Sequence, residues 1–245
     1  MHKFFTDEID ELFAYISGDD HKHLSRVLRL REGDSVLVNN LSGTDYLGII
    51  EHIDKHTTKI ELKDKMLENN ESAVLITLYQ GMPKAGKMDL IVQKCTELGV
   101  SRIVPVLTER VVVKNSAEFK KLDRLKRIAV EAAKQSKRSI IPVIEEPISF
   151  QEMLSDIKKS QILIVPYENQ ENYGFTTLKK ELAEIRSCGI LIGPEGGFSD
   201  EEIRILGDRG AKIVTLGKRI LRTETAGFTA IALTQLLYGD MGGKI

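Results

Sequence analysis

Two stretches in the last third of the chain hold residues whose types and spacing could do chemistry. They are Leu191-Ile192-Gly193-Pro194-Glu195-Gly196-Gly197-Phe198 and Leu216-Gly217-Lys218-Arg219-Ile220-Leu221-Arg222-Thr223-Glu224-Thr225-Ala226. In the first, three glycines without a Cβ would let a ligand approach the backbone closely. In the second, Lys218, Arg219 and Arg222 could meet an anionic or electron-rich substrate. Neither stretch fits the phosphate-cradling P-loop or the dinucleotide G-x-G-x-x-G pattern, which disfavours those two classes of ligand.

Each stretch ends a short apolar run and opens a helix. Residues 189–192 and 211–215 read as buried strands. Ser199-Asp200-Glu201-Glu202 has the S-x-x-E form of a capping box and predicts a helix from about residue 200, and an apolar-periodic helix is expected over 224–238. Two such loops can meet at one edge of a parallel sheet, where open α/β sheets bind their ligands.

The rest of the chain must build that sheet. Further strands are expected over 74–79, 102–107 and 161–166, alternating with helices over 87–98, 118–137, 150–158, 177–185 and 199–206, which implies a mostly parallel, doubly covered sheet over residues 73–245. Residues 1–72 read differently, with a helix over 20–30 and short strands over 35–39, 45–53 and 57–62 between turn signals, the pattern of a small β-rich domain. The polar run 68–72 is the expected linker.

With 245 residues, 42% hydrophobic and 29% charged, the composition is that of a soluble globular protein. No apolar run approaches a membrane span and the first ten residues lack a signal-peptide core, so a cytoplasmic location is expected. Cys95 and Cys188 stand alone, and the histidines show no ligand spacing, so neither a disulfide nor a metal site is expected. The formal charge of −1 is unevenly spread: residues 1–72 hold nine basic and fifteen acidic side chains, whereas 120–138 hold eight basic and two acidic. Any nucleic-acid surface would be local.

The pair GPEGGFSxEE and LGxRILRTETA resembles the C-terminal signature of the SPOUT methyltransferases, and specifically the bacterial 16S ribosomal RNA uridine-N3 methyltransferases, the ribosomal RNA small subunit methyltransferase E family. Matches continue in order along the chain at 23–30, 82–89, 93–100, Glu109-Arg110 and 131–138. Two departures are visible: Gly86 stands where the family has an acidic residue, and Asn39-Asn40 where it has an Asp-Gly turn. The resemblance implies an α/β fold, a SPOUT-type parallel sheet with a C-terminal trefoil knot, preceded by a small PUA-like β-barrel.

It also implies S-adenosyl-L-methionine as cofactor, no metal, and 16S rRNA as partner. The cofactor would lie against Pro166 and Tyr167, the run Leu191, Ile192, Gly193, Pro194, Glu195, Gly196 and Gly197, and the second loop at Leu216, Gly217, Arg219, Ile220, Leu221, Thr223, Thr225 and Ala226. Arg222 is the first choice for the catalytic cation, its guanidinium stabilising negative charge on uridine O2 or O4. Glu195 and Glu224 sit at helix starts that lower their basicity, so water is an alternative proton acceptor and Glu224 is expected to cap or pair. Phosphate contacts are expected from Lys3, Arg26 and Arg29, and with more weight from Lys84, Lys87, Arg110, Lys134, Lys137 and Arg138, all of which position RNA without selecting a base. The alternatives are a non-catalytic RNA-binding assembly factor that has lost activity, or a methyltransferase acting on another RNA. A homodimer is also expected, because Ala226, Phe228, Ile231, Leu233 and Leu237 are more apolar residues than one stripe needs.

Overall fold

The computed structural model describes residues 1–67, 70–84, 86–111 and 122–243. The chain divides into two compact units, one of residues 1–71 with 133–141 and one of residues 72–132 with 142–245.

The first unit is a five-stranded sheet built from β1 (Lys3–Phe5), β2 (Phe13–Ser17), β3 (Ser35–Asn39), β4 (Asp45–Ile53) and β5 (Thr57–Lys65), in the order β1-β3-β4-β5-β2. Only the β1–β3 pair is parallel. Alternating residues Val36, Val38, Ile50 and Ile60 turn inward and pack with Phe4, Ala14, Ile16 and Leu24. The expected helix over 20–30 is instead α1 (Gly18–Lys22) followed by a π-helical turn, His23–Val27.

The segment 133–141 is fastened to this sheet by buried polar groups. Lys3 Nζ donates to Asp45 Oδ2 (2.7 Å), the Arg138 carbonyl (2.9 Å) and Ser139 Oγ (3.1 Å), while Asn39 Nδ2 donates to Asp45 Oδ1 and the Ser139 carbonyl. Asn40 Oδ1 accepts from the Ser42 and Thr44 amides, so the Asn-Asn pair forms an Asx-type turn of its own.

The second unit is a seven-stranded, wholly parallel sheet. Its strands are β6 (Leu75–Gly81), β7 (Arg102–Leu107), β8 (Val143–Ile144), β9 (Ile148–Ser149), β10 (Ile162–Pro166), β11 (Ser187–Ile192) and β12 (Lys212–Val214). The order is β12-β10-β11-β6-β7-β8, with β9 also on β7. In β11, Cys188 to Ile192 are all buried because helices cover both faces. The helices are α2 (Lys87–Glu97), α3 (Leu122–Gln135), α4 (Phe150–Asp156), α5 (Phe175–Glu181), α6 (Asp200–Asp208) and α7 (Thr223–Tyr238). The expected helix over 118–137 is described from Leu122; its first four residues lie outside the described residues. The capping box at Ser199 and Glu202 is formed, and Glu202 Oε1 also accepts from the Glu109 amide at 2.9 Å. None of the described helices is long and apolar enough to cross a membrane.

A half-buried ion cluster lies at the start of β7. Arg102 pairs with Asp156 and, at 3.0 Å, with Glu145, and Tyr79 OH donates to Asp156 at 2.8 Å. Burial pushes the Asp156 carboxyl up, but Arg102, Lys159 and Tyr79 outweigh it and hold it at about 2, below its ordinary 3.8. A depressed folded pKa stabilises the fold above the unfolded value and is lost as pH falls through the folded one. Urea unfolding should therefore show about 2 kcal/mol of stability disappearing as pH falls from 5 to 2. Asp156→Asn should flatten that slope; an unchanged slope would exclude this cluster as its source.

Candidate functional site

The carboxyl ends of β12, β10 and β11 lie side by side, with Pro166 opposite Val214 and Ile164 opposite Ile190. The loops leaving them wall a cleft of about 420 Å³. Pro166, Tyr167 and Glu168 line it after β10, and Ile192, Gly193, Pro194, Glu195, Gly197 and Phe198 after β11. The third wall is the loop from Thr215 to Arg222, with Leu216, Gly217, Arg219, Ile220 and Leu221, and then Thr223 and Ala226 of α7. Lys87, from the first turn of α2, completes it.

Close backbone contacts shape these loops. A Cβ on Gly197, at φ +66°, would lie 2.9 Å from Glu168 Oε1, and one on Gly81 would lie 2.6 Å from the Pro194 nitrogen. The two motif loops are then tied by one threonine. Thr223 Oγ1 donates to the Gly193 carbonyl at 2.6 Å and accepts from Gln80 Nε2 at 2.9 Å. Gln80 reaches it because it is paired with Ile192, the last residue of β11. Arg222 is the N-cap residue of α7, extended at φ −64° and ψ 154°, and is exposed at the cleft wall.

Charge is concentrated where α2 meets both loops. Lys87 Nζ lies 3.0 Å from Glu195 Oε1 and 3.1 Å from Glu224 Oε2, and the Lys84 amide donates to both Glu195 oxygens at 3.1 and 3.2 Å. For both carboxyls burial acts upward, but it is outweighed by each residue's own amide and by Lys87, with the Lys84 amide adding for Glu195 and Arg222 for Glu224. Both are held below the usual carboxylate range. Pairing with the same two groups holds the Lys87 ammonium above its ordinary value. Among the described residues there is no cluster of His, Cys, Asp or Glu suited to a metal ion.

Several site residues expected from the sequence lie elsewhere. Leu191 is fully buried in the apolar core with Tyr79, Val104 and Phe198, because β11 is covered on both faces. Gly196 turns away from the cleft: a Cβ there would lie 3.0 Å from the Arg110 carbonyl. Thr225 is exposed on α7 and does not line the cleft. Lys3 and Arg138, expected on phosphates, have side chains only 7% and 5% exposed, and are held by Asp45 and by Glu71. Lys134 pairs with Asp20 at 2.8 Å. Arg26, Arg29, Lys137, Lys84 and Arg110 are exposed. Phe198, Thr215 and Lys87 also line the cleft, Lys87 being expected from the sequence on RNA phosphates instead, Glu168 lines it beside Tyr167, and Gln80 supports it through Thr223. Phe198 and Glu168 lie inside or next to the quoted loops, whereas nothing in the sequence marks Gln80, a polar residue near the end of a mostly apolar strand.

Residues 70–235 match the RNA methyltransferase domain family, and residues 16–63 match the RNA methyltransferase PUA domain family. A Bacillus subtilis relative named ribosomal RNA small subunit methyltransferase E is 31% identical, covering 98% of this chain and 100% of its own. The Aquifex aeolicus protein of the same name is 33% identical over 95% of this chain and 98% of its own. The crystal structure of the Neisseria gonorrhoeae ribosomal RNA small subunit methyltransferase E, bound to S-adenosyl methionine, is similar with a TM-score of 0.82 at 32% identity, covering 98% of this chain and 99% of that one. The parallel sheet, its loop-walled cleft and the accompanying PUA domain define an RNA methyltransferase. The chain belongs to the ribosomal RNA small subunit methyltransferase E family, and the enzyme is an rRNA methyltransferase.

Thr223→Val should destabilise the second unit by roughly 1–3 kcal/mol, because it takes from the Gly193 carbonyl its hydroxyl donor and from Gln80 Nε2 one of its two acceptors, leaving the Gly81 carbonyl as the other. Urea unfolding checks this, and a loss below 0.5 kcal/mol would mean that the two loops are held by other contacts.

Proposed function

We propose that this enzyme transfers the methyl group of S-adenosyl-L-methionine to N3 of a uridine in the 16S rRNA of the small ribosomal subunit. The observation that carries the reading is the cleft itself: both family motifs converge on it, and Arg222 stands on its wall. Its volume of about 420 Å³ suits a small-molecule ligand, and Gly193 and Gly197 line it, their missing Cβ atoms making space for Phe198 and Glu168. A similar protein of the same family is known with this cofactor bound.

When bound, the cofactor supplies a methyl group on a positively charged sulfur. The N3–H bond breaks and an N3–C bond forms as the S–C bond breaks, giving S-adenosylhomocysteine, N3-methyluridine and a proton. Negative charge on the deprotonated uracil spreads onto O2 and O4, where the Arg222 guanidinium donates from a planar fork and stays protonated. Glu195 and Glu224 are paired with Lys87 and held in their charged forms, which makes them weak bases. In this reading the proton leaves to water.

On the RNA side, Arg26, Arg29 and Lys137 of the first unit and Lys84 and Arg110 of the second are exposed cations suited to phosphates. Residues 1–72, joined by 133–141, act as the RNA-reading domain, and the rest of 73–245 as the methyltransferase domain. The same proposal includes closure of the first sheet into a PUA-like barrel, a trefoil knot at the C-terminal loops, and a homodimer through α7. Phe228, Leu233 and Leu237 remain only half-buried on that helix and Leu236 is 52% exposed, which supports a second apolar contact.

Mass-spectrometric mapping of 16S rRNA from a strain lacking the gene, with and without its restoration, tests the reaction; an unchanged uridine would overturn it. Arg222→Ala should lower the rate of methyl transfer about 10²–10³-fold while sparing cofactor affinity. Single-turnover assays with calorimetry check this, and equal loss of cofactor binding would move Arg222 into the cofactor pocket. Light scattering at micromolar concentration should give twice the 27.5 kDa of one chain, and a monomer that still methylates would refute the dimer.

A further inference from the structure

We infer that Lys87 is a positioning residue of the transferase site, an ionic latch that joins the Glu195 loop to the first turn of α7 through Glu195 and Glu224. The inference rests on the reading that this cleft holds S-adenosylmethionine. Family position made Lys87 a candidate phosphate contact, but its surroundings argue for the latch.

The ammonium lies within 3.0 and 3.1 Å of two carboxylates, so the three groups together carry one net negative charge, which repels a phosphate. Its side chain is 29% exposed and that of Glu224 13%, so the group is held at the cleft wall instead of reaching into solvent. Among the described residues no well-aligned hydrogen bond reaches Glu224 Oε2, which leaves the nearby ammonium as the closest charge balancing a buried oxygen. Removing one partner of a poorly solvated ion pair leaves the other uncompensated, which is the costly case.

The latch also has a frame. Gly86, at φ +89°, turns the chain into α2 so that Lys87 takes the first helical position, and α2 packs against α7. The Lys84 amide on Glu195 ties the same turn to the other loop. Three elements that are distant in sequence thus meet at one nitrogen, and their relative placement sets the width of the cleft.

The test uses the full chain as wild type, Lys87→Ala, Lys87→Arg, Glu224→Gln and the Lys87→Ala/Glu224→Gln double variant. Titration with S-adenosylmethionine should show roughly tenfold weaker binding for Lys87→Ala. Lys87→Arg should recover most of that loss, and the double variant should bind more tightly than Lys87→Ala because the uncompensated carboxylate is gone. The salt dependence of 16S rRNA binding should not change. A salt slope reduced by roughly 0.7–0.9 per lost contact, with cofactor affinity intact, would make Lys87 a phosphate ligand and overturn the latch. Strictly additive effects of Lys87→Ala and Glu224→Gln would overturn it as well. Urea unfolding of the same proteins reads the Lys87–Glu224 coupling without any cofactor. Coupling in unfolding with no cofactor binding by the wild type would refute the cleft reading and leave the latch standing; no coupling would refute the latch.

Discussion

The hydroxyl of Thr223 is the point on which the site depends. It closes a chain of hydrogen bonds from Gln80 in β6, through its own oxygen, to the Gly193 carbonyl beyond β11. Backbone carbonyls withdrawn from water need a partner, and among the described residues the Gly193 carbonyl finds one at the first residue of α7. That requirement brings the end of one motif against the start of the other. Arg222 stands immediately before this anchor, so its backbone is placed by a buried contact while its side chain remains at the surface.

Electrostatics divides the cleft's charged groups into two kinds. Lys87, Glu195 and Glu224 are paired with one another, with the lysine held protonated and both carboxyls held ionised, which suits them to holding a shape. Arg219 and Arg222 are exposed, and neither has an ion pair among the described contacts with an acidic side chain. A guanidinium that stays charged and keeps its donors available is the group suited to an electron-rich base. The separation follows from pairing more than from burial: Glu195 is itself exposed, yet it is held by Lys87 and by the Lys84 amide.

The first unit shows the same rule applied to basic residues. Lys3 and Arg138 look in sequence like members of a nucleic-acid surface, yet they tie residues 133–141 to the sheet through Asp45, Ser139 and Glu71. A positive charge in a basic run is as suited to closing a buried network as to binding a phosphate, and only its neighbours decide which. Arg26, Arg29 and Lys137, which keep their exposure, are the better candidates for RNA.

Much of the fold was legible in the sequence because local rules governed it. The strands over 35–39, 45–53 and 102–107 begin and end where alternation and turn residues placed them, and the Ser199 capping box formed as its spacing required. β1, β2, β8 and β9 lie outside the strands expected from the sequence; each is held by pairing with a strand distant in sequence, and other strands as short were marked by their apolar runs and turn residues. The two loops and their glycines were recognisable as a site, but which side of each loop faces the ligand was not. Gly196 meets Arg110 and Gly197 meets Glu168, a difference set by packing against segments more than twenty residues away. Lys87 as a member of the cleft, and Gln80 as the buried support of Thr223, were invisible for the same reason. Residue type and spacing determined the chemistry available to this protein, whereas tertiary contacts decided which charges were neutralised by partners and which were left open to a substrate, because burial and pairing depend on neighbours that sequence order does not specify.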